Sequence, residues 1–142
     1  MNTQKYPTWL VPLDIAKELK EIGFNDPCHF YYQNDYSEYL KTGDPNKYHI
    51  ISDSLAANRK NANHNNSDIA ISAPSWEEAF AWFRAKGYYG NLEATSKGTS
   101  AYIFYSELDN GEFWEFAYEE TYEKARELLL LKLIDIYKTA NQ

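Results

Sequence analysis

Ser100-Ala101-Tyr102-Ile103-Phe104-Tyr105-Ser106-Glu107-Leu108-Asp109-Asn110-Gly111-Glu112-Phe113-Trp114-Glu115-Phe116-Ala117-Tyr118 is the stretch whose reading decides the fold. Two aromatic runs flank Asn110-Gly111, the dipeptide best suited to a type I′ turn, in which both central residues take positive φ. A two-residue connection there pairs odd positions of the first strand with even positions of the second. One face then carries Ala101, Ile103, Tyr105, Trp114, Phe116 and Tyr118, and is the expected core face. The other carries Tyr102, Phe104, Ser106, Leu108, Phe113, Glu115 and Ala117, and is apolar enough to be partly covered. The same register sets Glu107 opposite Trp114.

Helices flank this ribbon. Upstream, Ser75 and Glu78 have the spacing of a capping box, and Trp76, Ala79, Phe80 and Phe83 fall at i, i+3, i+4 and i+7, with Trp82 widening the stripe. The spacing predicts a helix over 75–86, stopped by Gly87. Downstream, a helix over 121–139 starts near Thr121 and presents Ala125, Leu128, Leu129, Leu133, Ile136 and Tyr137, while Leu130 and Leu131 extend its apolar surface. Glu119, Glu120 and Glu123 near its start and Lys138 near its end match the helix dipole. A third helix over 12–22 follows from Pro12, from Ile15, Leu19 and Ile22, and from the stop at Gly23.

Short strands are expected at Cys28–Tyr32, Tyr48–Ile51 and Asp68–Ser72, with a weaker one in 90–98 around Leu92 and Ala94. Residues 33–67 are polar and hold seven Asn. Within them, Ser52 or Asp53 is positioned to cap a turn or two through Leu55, Ala56 and Ala57. The tract 58–66 has almost nothing to bury and reads as an exposed loop tip. The expected architecture is one α+β domain over 1–142, an antiparallel sheet around the 100–118 hairpin with three helices packed mainly on one face.

With 142 residues, 44% hydrophobic and 17% aromatic, the chain has the size of one domain with a sufficient core. Tyr dominates the rings, with 13 beside 7 Phe and 4 Trp, and a ring with a polar tip suits the margin between core and water. A single cysteine, no apolar leader and no long apolar run predict a soluble cytoplasmic protein without membrane contact. The net charge is −7, and residues 107–142 contribute most of it, with 9 acids against 4 bases. Such a chain has no electrostatic means of holding a phosphate backbone, so direct nucleic-acid binding is not expected.

No residue pattern carries chemistry. Cys28 and His29 are neighbours on a strand and point to opposite faces, so a thiol–imidazole pair requires His49 or His64 to approach Cys28 through the fold. The three histidines lack metal-ligand spacing, and the six glycines form no phosphate loop. No catalytic, cofactor-binding or metal-binding residue is assigned. What remains is a surplus of rings, among them Trp9, Tyr31, Tyr32, Tyr36, Tyr39, Tyr88, Tyr89 and Tyr102, and the acids of 107–127. Tyr and Trp are favoured anchors of protein interfaces, so the candidate interaction residues are Tyr102, Glu112, Glu115, Glu119 and Glu120.

The segments 13–24 with Asp26-Pro27-Cys28, Ala73-Pro74-Ser75-Trp76-Glu77-Glu78-Ala79 to Trp82-Phe83-Arg84, and Tyr122-Glu123-Lys124-Ala125-Arg126 onward resemble a group of small acidic α+β proteins of bacteria and their prophages. That resemblance implies an α+β domain and a mobile-element setting. The group has no established activity, so no catalytic residue is carried across. The leading expectation is a non-enzymatic interaction module whose partner is a host or neighbouring protein, in its sharpest form an acidic inhibitor that mimics nucleic-acid charge against a basic host protein. The competing expectation is a small-molecule binder or small enzyme with an aromatic-lined pocket that takes in Cys28 or a histidine. A homodimer through the leucine stripe at 128–136 is the third.

Overall fold

The computed structural model describes residues 8–44, 47–52, 65, 70–105 and 114–141. The fold is α+β, with two three-stranded antiparallel sheets where the sequence predicts one. The chain divides into two compact units, Met1–Trp76 and Glu77–Gln142.

In the first unit, α1 (Leu13–Glu21) buries Leu13, Ile15, Ala16 and Leu19. Gly23 ends it at φ 96°, with Gly23 N–H donating to the Lys20 carbonyl and Phe24 N–H donating to that of Leu19. This is a Schellman stop, and its apolar residue Phe24 is almost wholly buried. β1 (Phe30–Asn34) begins two residues later than predicted and is the central strand, flanked by β2 (Tyr48–Ser52) and β3 (Ala70–Ser72). Between β1 and β2 lies α2 (Tyr36–Thr42), a helix the sequence pattern does not predict. Asp35 caps it by accepting from Glu38 N–H, and Gly43 closes it at φ 74°. Cap and stop are both visible in the sequence, but the helix is two turns long and lacks the longer apolar stripe that marks the other helices.

Side chains bonded to backbone hold this unit together. Buried Tyr32 donates its hydroxyl to the Val11 carbonyl at 2.6 Å, and Trp76 Nε1 donates to the Thr8 carbonyl at 2.9 Å. Asn65 donates to the Phe24 carbonyl and accepts from Ser72 N–H at 2.8 Å. Of the predicted loop tip 58–66 only Asn65 is among the described residues, and it is half-buried and doubly bonded rather than exposed. The turns predicted through Leu55–Ala57 lie outside the described residues.

In the second unit, α3 (Trp76–Ala85), whose first residue Trp76 belongs to the first unit, leads through a tight turn into β4 (Tyr88–Ala94), β5 (Thr99–Tyr105) and β6 (Trp114–Glu119), a meander followed by α4 (Tyr122–Ala140). Trp82 is more buried than Phe80, so the core stripe of α3 is rotated toward Ala79, Trp82 and Phe83. The same holds for α4, whose buried residues are Ala125, Leu129, Leu130, Leu133 and Ile134, while Leu128 and Ile136 are half-buried. Thr121 caps α4 by accepting from Lys124 N–H at 3.1 Å. Leu129 lies against Gly90 so closely that a Cβ there would stand 2.9 Å from Leu129 Cδ2. The absence of a side chain at Gly90 is what lets the helix approach the sheet.

The β5–β6 register differs from the one a two-residue turn at Asn110-Gly111 imposes. Ile103, not Glu107, stands opposite Trp114, and Tyr102 stands opposite Glu115. Beyond them the pairing steps to Ala101 opposite Ala117 and Ser100 opposite Tyr118, so Phe116 is the extra residue of a β-bulge. A one-residue step exchanges the faces of everything that follows it. Tyr118, expected in the core, is therefore 53% exposed on the face opposite Ala101 and Ile103. The turn itself, residues 106–113, lies outside the described residues.

Candidate functional site

The two faces of the second sheet differ in chemistry. Toward α4 the sheet turns Tyr88, Gly90, Leu92, Thr99, Ala101 and Ile103, of which Tyr88, Thr99, Ala101 and Ile103 are buried. On the opposite face, called here the open face, Tyr89, Asn91, Glu93, Glu115 and Tyr118 are exposed and Ser100, Tyr102 and Phe104 are half-buried. Reading across the strands by register, its rows are Glu93, Ser100 and Tyr118, then Asn91, Tyr102 and Glu115, then Tyr89 and Phe104.

Local rules explain the open face. Period-2 alternation sends Tyr89, Asn91 and Glu93 away from the core while Tyr88 and Leu92 point into it. The bulge at Phe116 adds Tyr118 to this set. Tyr89 and Phe104 are cross-strand neighbours with ring centroids 5.5 Å apart, a packed aromatic pair that fixes one end of the surface. At the other end Tyr118 lies over Gly98, where an added Cβ would meet the Tyr118 hydroxyl oxygen at 2.5 Å. Thr95 holds that turn, its Oγ1 accepting from Lys97 and Gly98 N–H and its own N–H donating to the Gly98 carbonyl. Tyr102 sits at the centre, on the middle strand, with Glu115 on one edge strand and Glu93 one row away on the other.

The structure distributes the candidate interaction residues unevenly. Tyr102 and Glu115 are directly opposite each other on the open face. Glu119 pairs with buried Thr99 and shares the side of the sheet that faces α4, and Glu120 is exposed in the bend before α4. Glu112 lies outside the described residues. Tyr89, Glu93 and Tyr118 join the face without being among the residues expected there. The alternation Tyr89-x-Asn91-x-Glu93 is a readable signal for two of them; the bulge that exposes Tyr118 is not.

The thiol and imidazoles do not come together among the described residues. Cys28 is fully buried and its Sγ donates weakly to the Asp26 carbonyl at 3.6 Å. His29 is exposed, and His64 lies outside the described residues. His49 Nε2 lies 2.5 Å from Asp35 Oδ2 on an exposed part of the first unit. Glu38 N–H, donating to the Asp35 carboxylate, together with the hydrogen bond to His49, holds the Asp35 pKa below its ordinary value. Among the described residues no three His, Cys, Asp or Glu side chains are grouped to hold a metal ion.

A cleft of about 260 Å³ lies in the second unit between α3, β4 and α4, lined by Glu77, Phe80, Arg84, Leu92, Tyr122 and Leu129 among others. It is aromatic in part, as a small-molecule site requires, but it contains neither Cys28 nor a histidine. Its charged groups satisfy each other, since Arg84 Nη2 donates to Glu77 Oε1 at 2.5 Å. Within the described residues no helix is long and apolar enough to cross a membrane. Comparison with protein-family models, with curated proteins and with solved structures finds no match for the chain.

Proposed function

We propose that the chain is a non-enzymatic protein-interaction module, encoded by a bacterium or one of its phages, that engages a protein partner through the open face of its second sheet. The observation that carries this reading is the concentration on one face of Tyr89, Tyr102, Phe104 and Tyr118 beside Glu93 and Glu115. Rings of this kind supply large contact area at small cost in conformational entropy, and they are enriched where proteins meet. The strand scaffold holds them in fixed rows, which favours a preorganised docking surface over one assembled on binding.

The test is site-directed photocrosslinking in a lysate of the source organism. A photoreactive phenylalanine in place of Asn91, on the open face, should capture a defined protein, and the same group in place of Lys132, on the exposed side of α4, should not. Tyr102→Ala should abolish capture at the first position. Equal capture at both positions, or capture of chaperones alone, refutes the reading.

A further inference from the structure

We infer that the open face receives a cationic protein segment, with an arginine or lysine side chain seated over the Tyr102 ring between Glu93 and Glu115. This rests on the interaction reading above and names the chemistry of the partner. On this face half-buried Tyr102 stands between two exposed carboxylate-bearing residues. Glu115 is directly across from Tyr102, and Glu93 lies on the other edge strand one row away. Strand spacing and residue rise put the two carboxylate-bearing residues about 12 Å apart, with the Tyr102 position between them. A guanidinium or ammonium over that ring meets its negative face and has an acid on either side.

Elsewhere the chain supplies such cations to its own rings. Lys17 Nζ stands 4.9 Å from the Tyr48 ring centroid, Lys86 Nζ 4.8 Å from that of Trp82, and the Arg126 guanidinium 5.7 Å from that of Tyr122. On the open face the described residues include no Lys or Arg, and among them neither Glu93 nor Glu115 takes part in an ion pair. The surface thus has the anionic and aromatic half of a pattern that the molecule completes internally at three other rings.

The same charges argue against other occupants. A second copy docked face to face would bring Glu93 and Glu115 against their own counterparts, on chains that each carry a net charge of −7. A nucleic acid would present phosphates to carboxylates. An apolar peptide would cover the rings but strip water from two acids without pairing them.

The experiment is an amide-resolved NMR titration of the full chain with four synthetic octapeptides of alternating sequence: Arg-Ser, Lys-Ser, citrulline-Ser and Glu-Ser. The Arg-Ser peptide should shift amides of β4, β5 and β6 around Asn91, Tyr102 and Glu115, with the Lys-Ser peptide following more weakly. Citrulline-Ser, which keeps shape and loses charge, and Glu-Ser should leave them unmoved. Glu93→Gln and Glu115→Gln, exposed changes that do not touch the core, should each weaken binding about threefold, and Tyr102→Leu by about as much. Asp135→Asn on α4, an equal change in net charge, should leave the affinity as it was. Shifts that centre on α4, or affinity lost equally with Asp135→Asn, would reduce the effect to bulk charge and overturn the inference. If citrulline-Ser binds as well as Arg-Ser, the face takes a neutral partner and only the cationic assignment falls. Position-specific capture at Asn91 without any peptide preference likewise removes the cationic assignment alone, whereas failure of both experiments removes the interaction reading too.

Discussion

The two sheets have the same number of strands and the same antiparallel sense, and they are held by different forces. The second is a meander of neighbours in sequence, with one face buried beneath α4 and strands of six or seven residues. The first is centred on its earliest strand, which pairs Tyr32 with Ile71 across a long polar segment, and its third strand has only three residues. What the second sheet gains from apolar area, the first obtains in part from side chains bonded to backbone: Tyr32 to Val11, Asn65 to Phe24 and Ser72, Lys20 Nζ to the Ala70 carbonyl. A sheet of the first kind depends on a few directional contacts, each costly to lose, because a buried backbone group without its partner forfeits its hydration. One of the second kind spreads its stability over many weak contacts, which frees its other face for rings and acids that do not contribute to the core.

This contrast can be broken at single residues. Leu129→Ala, at a site 1% exposed and pressed on Gly90, should cost about 2–5 kcal/mol in chemical denaturation and lower hydrogen-exchange protection first in β4 and β5. Asn65→Ala removes both bonds from one side chain and leaves the buried Ser72 N–H without that acceptor. It should cost about 1–3 kcal/mol, with protection falling in β1 and β3 while β5 keeps its own. Equal loss in β5 would mean that the two sheets draw on one source of stability. Thr121→Ala should cost about 1 kcal/mol through the lost cap of α4, measured by the same denaturation.

The smallest effect is a pH dependence confined to the first unit. The Asp35 carboxyl is depressed by the Glu38 N–H and by His49, so its ionised form favours the folded state. For a depressed carboxylate that stability is present above the ordinary value of 3.8 and is lost as pH falls through the lower folded value. Helix α2 should therefore fray below pH 3.8, seen as movement of the Glu38 amide resonance, and Asp35→Asn should flatten the response. A Glu38 amide that does not move in this acid range would refute the assignment to Asp35.

Legibility follows the same division. The helix predicted over 121–139 is observed as Tyr122–Ala140, and the one over 75–86 as Trp76–Ala85, because capping residues and apolar periodicity act within a few turns of one helix. Gly23 is readable as a stop for the same reason. Helix α2 and the bonding of Asn65 are not, since a two-turn helix has little periodicity and an asparagine's partners lie 7 and 41 residues away in sequence. In the candidate site, Tyr102 and Glu115 follow from strand alternation, and they do share a face. Glu119 does not, because the bulge at Phe116 changes parity between Glu115 and Ala117.

By itself the sequence determined the acid excess, which is a matter of composition, and the α+β class, the three longer helices and the strand-rich segments, which follow from interactions between residues close along the chain. Tertiary structure alone decided that the strands divide into two sheets, that Ile103 rather than Glu107 meets Trp114, and that Tyr118 looks outward beside Tyr102. The reason is that register and face are properties of pairing: a single extra residue costs little locally, yet it reverses the orientation of every side chain beyond it.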